Sequence, residues 1–143
     1  MISVLISTHG NTASRLLDTT EMIIGKQDNV AAVDFERGMG ADDLRAKIDE
    51  ALKNLDQSEG VLFLVDLFSG TPFNVSSQIA LADEKMDIVT GVNVPMLLET
   101  LFAREATDIR TVAATAKNAG TEGIKILSET ITLNEDDESE DEL

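Results

Sequence analysis

The chain has 143 residues, a single histidine, no cysteine, tryptophan or tyrosine, and a formal net charge of −16. That length suits one domain. The lack of cysteine excludes disulfides, thiolate metal sites and cysteine nucleophiles, and the charge makes nucleic acid and anionic lipid poor partners because like charges repel. Hydrophobic residues make up 43% of the chain with only five phenylalanines, so aliphatic side chains must fill the core. No run approaches the roughly 20 apolar residues of a membrane span. The N-terminus lacks the basic-then-apolar pattern of a secretory signal, so a cytoplasmic protein is expected. Glu135, Asp136, Asp137, Glu138, Glu140, Asp141 and Glu142 contribute −7 of the charge and leave −9 on the rest. This surplus serves solubility or a basic protein partner.

Ile2-Ser3-Val4-Leu5-Ile6-Ser7 is a β-branched run that reads as a strand. After His9-Gly10, Leu16, Leu17, Thr20, Ile23 and Ile24 recur at helical spacing, and Gly25 is a stop. Val30 to Phe35 reads as a second strand, and Gly38 and Gly40 as a turn. Leu44, Ile48, Leu52 and Leu55 then form one apolar stripe of a helix that ends before Gly60. Val61-Leu62-Phe63-Leu64-Val65 is apolar throughout, as in a parallel strand covered on both faces. Thr71 is expected as N-cap of the next helix with Pro72 in its first turn.

Ile88-Val89 belongs to a fourth strand ending near Gly91, and Pro95 opens a helix carrying Met96, Leu97, Leu98, Leu101 and Phe102. A further helix is expected over residues 108–119, with Gly120 as its stop. Residues 124–133, from Ile124 to Leu133, alternate loosely and read as a fifth strand. From Asn134 onward the acidic tail lacks apolar periodicity and is expected to be disordered. The domain is thus expected over residues 1–133 and the tail over 134–143. Strands alternating with helices give an α/β fold with a largely parallel sheet. Ligand sites in such sheets lie outside the carboxyl ends of the strands, where strand order reverses.

Three features can carry chemistry there. His9 follows the first strand and precedes a helix start, and an imidazole offers a neutral nitrogen nucleophile near pH 7. A phosphoryl group on it would lie near helix N-terminal N–H groups, which favour anions. Asp66 ends the third strand; it either orients the imidazole through one ring nitrogen or simply caps a loop. In Asp66-Leu67-Phe68-Ser69-Gly70-Thr71-Pro72-Phe73-Asn74 the small residues Ser69 and Gly70 permit close backbone approach. The helix start offers free N–H donors, and Thr71 offers a hydroxyl for a phosphoryl oxygen. Phe68 and Phe73 either flank this site as a docking patch or belong to the core. Pro95 to Leu98 and Met22 read as core. There is no G-x-S-x-G elbow, P-loop or G-x-G-x-x-G, so hydrolase and nucleotide-binding readings lack support. No metal or other cofactor is called for.

Four segments in order, Ser7-Thr8-His9-Gly10, Gly60 to Asp66, Gly70-Thr71-Pro72-Phe73-Asn74 and Gly91-Val92-Asn93-Val94-Pro95-Met96-Leu97, together resemble the IIA domain of the mannose/fructose/sorbose family of bacterial phosphotransferase systems. The resemblance covers roughly residues 1–130. It implies an open sheet of four parallel strands in order 2-1-3-4 with helices on both faces. It also implies an antiparallel fifth edge strand exchanged between the subunits of a homodimer. His9 then matches the family's phosphorylated histidine and Asp66 its orienting carboxylate. Thr71, with Ser69, Gly70 and Phe73 around it, falls where the phosphoryl group is held. The implied donor is the phosphocarrier protein HPr. The implied acceptor is a IIB protein or domain that phosphorylates sugar entering through membrane components. Ser69 stands where a second glycine is common, and the acidic tail stands where a linker to a IIB domain often follows, so IIB is expected to be separate.

Two rivals keep a phosphoryl group on this fold. A subunit feeding dihydroxyacetone kinase would share the histidine and differ in its acceptor. A response-regulator-like switch phosphorylated on Asp66 would need an acidic pair after the first strand, where Ser7-Thr8-His9 stands instead. A non-catalytic interaction module is the third alternative.

Overall fold

The computed structural model describes residues 1–136. In chain order the elements are β1 (Ser3–His9), α1 (Thr12–Ile24), β2 (Val30–Phe35), α2 (Ala41–Lys53), β3 (Val61–Val65), α3 (Thr71–Ala80), β4 (Met86–Val89), α4 (Val94–Ala103), α5 (Ile109–Glu122) and α6 (Leu127–Asp136). The four strands form one parallel sheet in the expected order β2-β1-β3-β4.

Alternation along the central strands sorts side chains into two apolar layers. Ile2, Val4, Ile6, Leu62 and Leu64 face Ala13, Met96, Leu97, Leu101, Val112 and Ala116 of α1, α4 and α5. Leu5, Val61, Phe63 and Val33 face Leu44, Ile48, Leu52, Val75 and Ala80 of α2 and α3. Helices on both faces explain why β3 has no polar residue: all five of its side chains are buried. Burial of each large side chain there contributes about 1.5–3 kcal/mol. At the amino ends of the strands the buried Arg104 donates to the carbonyls of Asp28 and Asn29 at 2.6 and 3.1 Å, tying the α4 end to the start of β2.

Four sequence expectations are corrected. Residues 127–136 form a helix, not a fifth strand. Residues 121–131 are all exposed, and among the described residues they pair with none of the four strands, so an extended segment would leave its N–H and C=O groups unpaired. The helix satisfies them locally, beginning with Thr130 N–H to the Ile126 carbonyl at 3.1 Å. The rest of the acidic tail, residues 137–143, lies outside the described residues. Gly120 does not stop α5, which runs to Glu122. A Cβ at Gly120 would stand 2.6 Å from Met96 Cε, so this glycine lets α5 approach α4 closely. Met22 is 82% exposed instead of buried, because it lies off the α1 stripe of Leu16, Leu17 and Ile24 that packs on the core. Gly70, not Thr71, is the N-cap of α3, and it supplies no side-chain cap.

Candidate functional site

Strand order reverses between β1 and β3, since β2 lies on one side of β1 and β3 on the other. The carboxyl ends of these two neighbours bring His9 and Asp66 together. Ser7 pairs in register with Val65, so the next residues of the two strands emerge side by side. His9 is the last residue of β1, and the main chain of Asp66 is held from the far side by Gly91 N–H, 3.1 Å from its carbonyl.

Asp66 Oδ2 accepts the backbone N–H of His9 at 3.0 Å and lies 2.9 Å from His9 Nδ1. Its Oδ1 accepts Leu67 N–H at 3.0 Å. An ionised carboxylate only accepts, so the proton of the neutral ring is assigned to Nδ1 and Nε2 is left with its lone pair. Asp66 thus contacts both the imidazole, at Nδ1, and the loop that follows it, at Leu67 N–H. The His9 side chain is 43% exposed and that of Asp66 25%, so a protein partner can reach the ring while its carboxylate stays largely covered.

The other edge of the ring faces the start of α3. A Cβ built on Gly70 would lie 2.9 Å from His9 Cε1 and 3.0 Å from Nε2, and Gly70 has φ +93°. Glycine therefore serves twice here, in the left-handed backbone and in the close approach to the ring. The first-turn N–H groups of a helix have no intrahelical acceptor. With Gly70 as cap and Pro72 lacking a donor, no side chain caps the amides of Thr71 and Phe73, and the Gly70 that precedes them lies against Nε2. Thr71 is half-buried and lines a groove between α2 and α3 with Asp42 and Arg45. Ser69 is exposed. Phe68 is 77% exposed and stacks at a tilt on Phe73, with ring centroids 4.9 Å apart. Both line a groove of about 550 Å³ that reaches Leu81 and Arg110. Met96 and Leu97 are core, and Pro95 and Leu98 line a groove against α5.

The sequence offered two helix starts with anion-favouring amides, the one after His9 and the one at Thr71, and the first of them is already occupied. At α1, Ala13 N–H donates to Thr8 Oγ1 at 2.7 Å, and Ser14 donates to the Asp34 carboxylate through its N–H at 3.0 Å and its hydroxyl at 2.8 Å. That helix end is already filled by a hydroxyl and an anion. Sequence reading missed Asp34, whose role depends on the pairing of Thr8 with Asp34 across β1 and β2.

The chain is thus an open α/β protein whose single accessible imidazole is hydrogen-bonded to a carboxylate and lies against a helix start with no side-chain cap. Residues 3–117 match the family described as PTS system fructose IIA component. The chain is similar to the PTS system mannose-specific EIIAB component of Escherichia coli K12, at 44% identity over 88% of this chain and 39% of that one. It is also similar to the PTS system fructose-specific EIIA component of Bacillus subtilis, at 39% identity over the whole of both chains. Among solved structures, the EIIA component from Streptococcus agalactiae superposes with TM-score 0.82 at 30% identity, covering 90% of this chain and 99% of that one. The chain belongs to the IIA-component family of the mannose/fructose/sorbose phosphotransferase systems. It spans 39% of the length of the mannose-specific relative. Among the described residues no helix is long and apolar enough to cross a membrane.

Proposed function

We propose that this protein is a cytoplasmic phosphoryl carrier that accepts a phosphoryl group from HPr on His9 and passes it to a IIB component during sugar uptake. The observation that supports this best is the division of labour on one ring: Nδ1 held by Asp66, Nε2 turned toward the open N-terminus of α3.

The Nε2 lone pair attacks phosphorus in line, and the bond to the donor breaks with its electron pair leaving on the donor. The product ring carries the phosphoryl group on Nε2 and keeps its proton on Nδ1, where the Asp66 carboxylate offsets the positive charge. The amides of Thr71 and Phe73, the approach allowed by Gly70 and Ser69, and the Thr71 hydroxyl stabilise the phosphoryl oxygens. The second transfer, to IIB, is the same displacement with His9 as leaving group, and the membrane sugar permease components take part only through IIB. The exposed Phe68, stacked on Phe73, offers apolar surface between Asp66 and α3 for docking of either partner.

A homodimer belongs to this reading. It is supported by the outer edge of β4, unpaired among the described residues, and by the exposed Ile124, Ile126, Leu127 and Ile131.

The test is intact mass after incubation with phosphoenolpyruvate, enzyme I and HPr. One acid-labile phosphoryl group is expected, dependent on HPr and absent from His9→Ala. Full phosphorylation of His9→Ala overturns the assignment. Offering the charged protein to a IIB protein and to a dihydroxyacetone kinase separates the two acceptors.

A further inference from the structure

The bond to Asp66 sets the imidazole's orientation while it is made. The ring torsion of histidine is otherwise broad, and the side chain is 43% exposed, so Nε2 holds its direction only as firmly as that one hydrogen bond and its neighbours hold the ring. Gly70 bounds the Nε2 edge but has no side chain with which to confine it.

A further wall comes from the neighbouring strand. Phe35 pairs in register with His9 across β1 and β2, so the two side chains leave the sheet on the same face. Their rings meet nearly at right angles, with centroids 6.0 Å apart and an interplanar angle of 70°. That is a favoured arrangement for two π-systems. Phe35 is itself anchored. Its side chain packs against the core layer that contains Val33, Leu44 and Ile48. Its carbonyl accepts Gly10 N–H at 2.8 Å, joining the two strand ends just where the chain turns away into α1.

We infer that Phe35 is a positioning residue. Its core-anchored ring confines the His9 imidazole so that Nδ1 stays on Asp66 while Nε2 stays directed at the N-terminus of α3. The inference rests on the phosphocarrier reading for its consequence in phosphoryl transfer, and on the ring geometry itself for its structural content. Phe35 touches neither donor nor acceptor in this role. It acts through His9, by keeping the attacking nitrogen in line.

The experiment compares wild type, Phe35→Leu and Phe35→Tyr, with Phe35→Met as the milder apolar variant should the leucine protein fail to fold. Two quantities are read. The first is the ¹⁵N spectrum of the imidazole in the unphosphorylated protein, which reports the Nδ1–H tautomer and its exchange with other states. The second is kcat and KM for phosphoryl transfer from HPr. Phe35→Leu is expected to mix the tautomers and to lower kcat about tenfold, as displacement of a reacting group does, with KM for HPr unchanged. Phe35→Tyr keeps an aromatic ring and is expected to restore both.

A leucine or methionine variant with the wild-type ¹⁵N pattern and kcat overturns the inference, even if it melts earlier. So does a loss confined to KM, which would make Phe35 a docking residue. If charged HPr fails to load wild type, the carrier reading falls, and the ¹⁵N comparison still decides the positioning on its own.

Discussion

Helices α1 and α3 both begin at the carboxyl edge of the sheet beside His9, and their first turns are used in opposite ways. At α1 the donors of Ala13 and Ser14 are taken by Thr8 and Asp34, and the Asp34 carboxylate places a full negative charge on the positive end of the helix. At α3 the cap is Gly70, which supplies no side chain and lies against His9 Nε2, followed by Pro72, with no donor. The same backbone feature is a structural joint where the chain supplies its own anion, and a place for a foreign anion where it supplies glycine. On the proposed function the pair gives the site a direction: a phosphoryl group on Nε2 would be repelled from the α1 end and received by the α3 end.

The comparison breaks most visibly at Gly70. In Gly70→Ala the new methyl meets the imidazole at about 3 Å, and alanine must adopt φ +93°. Either the ring leaves its place or the helix start does. Single-turnover phosphorylation by HPr is expected to slow about 100-fold, the scale seen when a reacting group is displaced by an ångström, with roughly 1–3 kcal/mol lost from stability through backbone strain. A variant loading at the wild-type rate would mean that the α3 end is not where the phosphoryl group goes.

The converse change sharpens it. Asp34→Asn keeps an acceptor for Ser14 but removes the charge from the α1 end. Stability in urea is expected to fall by about 1 kcal/mol, the scale of a weakened N-terminal cap, while the rate of loading stays near wild type. If the α1 end were the receptor, removing this anion would speed loading, and that result would reverse the assignment.

How much of this was legible in the sequence depends on how far each signal reaches along the chain. Val61 to Val65 announces a strand covered on both faces because the two layers dictate five apolar residues in a row. The meeting of His9 and Asp66 follows from alternation of strands and helices plus the rule that sites form where strand order reverses, and the family resemblance supplied the order 2-1-3-4. What failed was either ambiguous locally or decided at a distance. Residues 124–133 alternate loosely, a pattern too short to separate strand from helix, and with residues 124–131 exposed and paired with no strand among the described residues, the helix from Leu127 takes the segment. Gly120 has the composition of a helix stop, yet what it answers is Met96 on another helix. Thr71 has the hydroxyl of an N-cap, but the left-handed Gly70 one residue earlier takes that place. Asp34 and Phe35 act on α1 and on His9 through strand register, which no local pattern encodes.

The smallest expected effect concerns a third helix end, that of α5, where Asp108 is the N-cap and accepts Thr111 N–H at 2.8 Å. Hydrogen bonds from Thr111 hold this carboxyl below the ordinary value of 3.8. The sign follows from linkage: the unfolded chain takes up the proton first as pH falls, so the cap's contribution is complete above the unfolded value and drains away as pH drops through it toward the lower folded one. Asp108 is fully exposed, so solvent screening keeps the effect small. Asp108→Asn retains an acceptor for Thr111 and does not titrate. Urea midpoints of the two proteins measured at about pH 6 and about pH 3 should therefore draw together, or cross, at the lower value. A gap that stays constant with pH would show that charge contributes nothing at this cap. It would then weaken the electrostatic half of the argument for Asp34 at α1, leaving hydrogen bonding as the sole reason that end is closed.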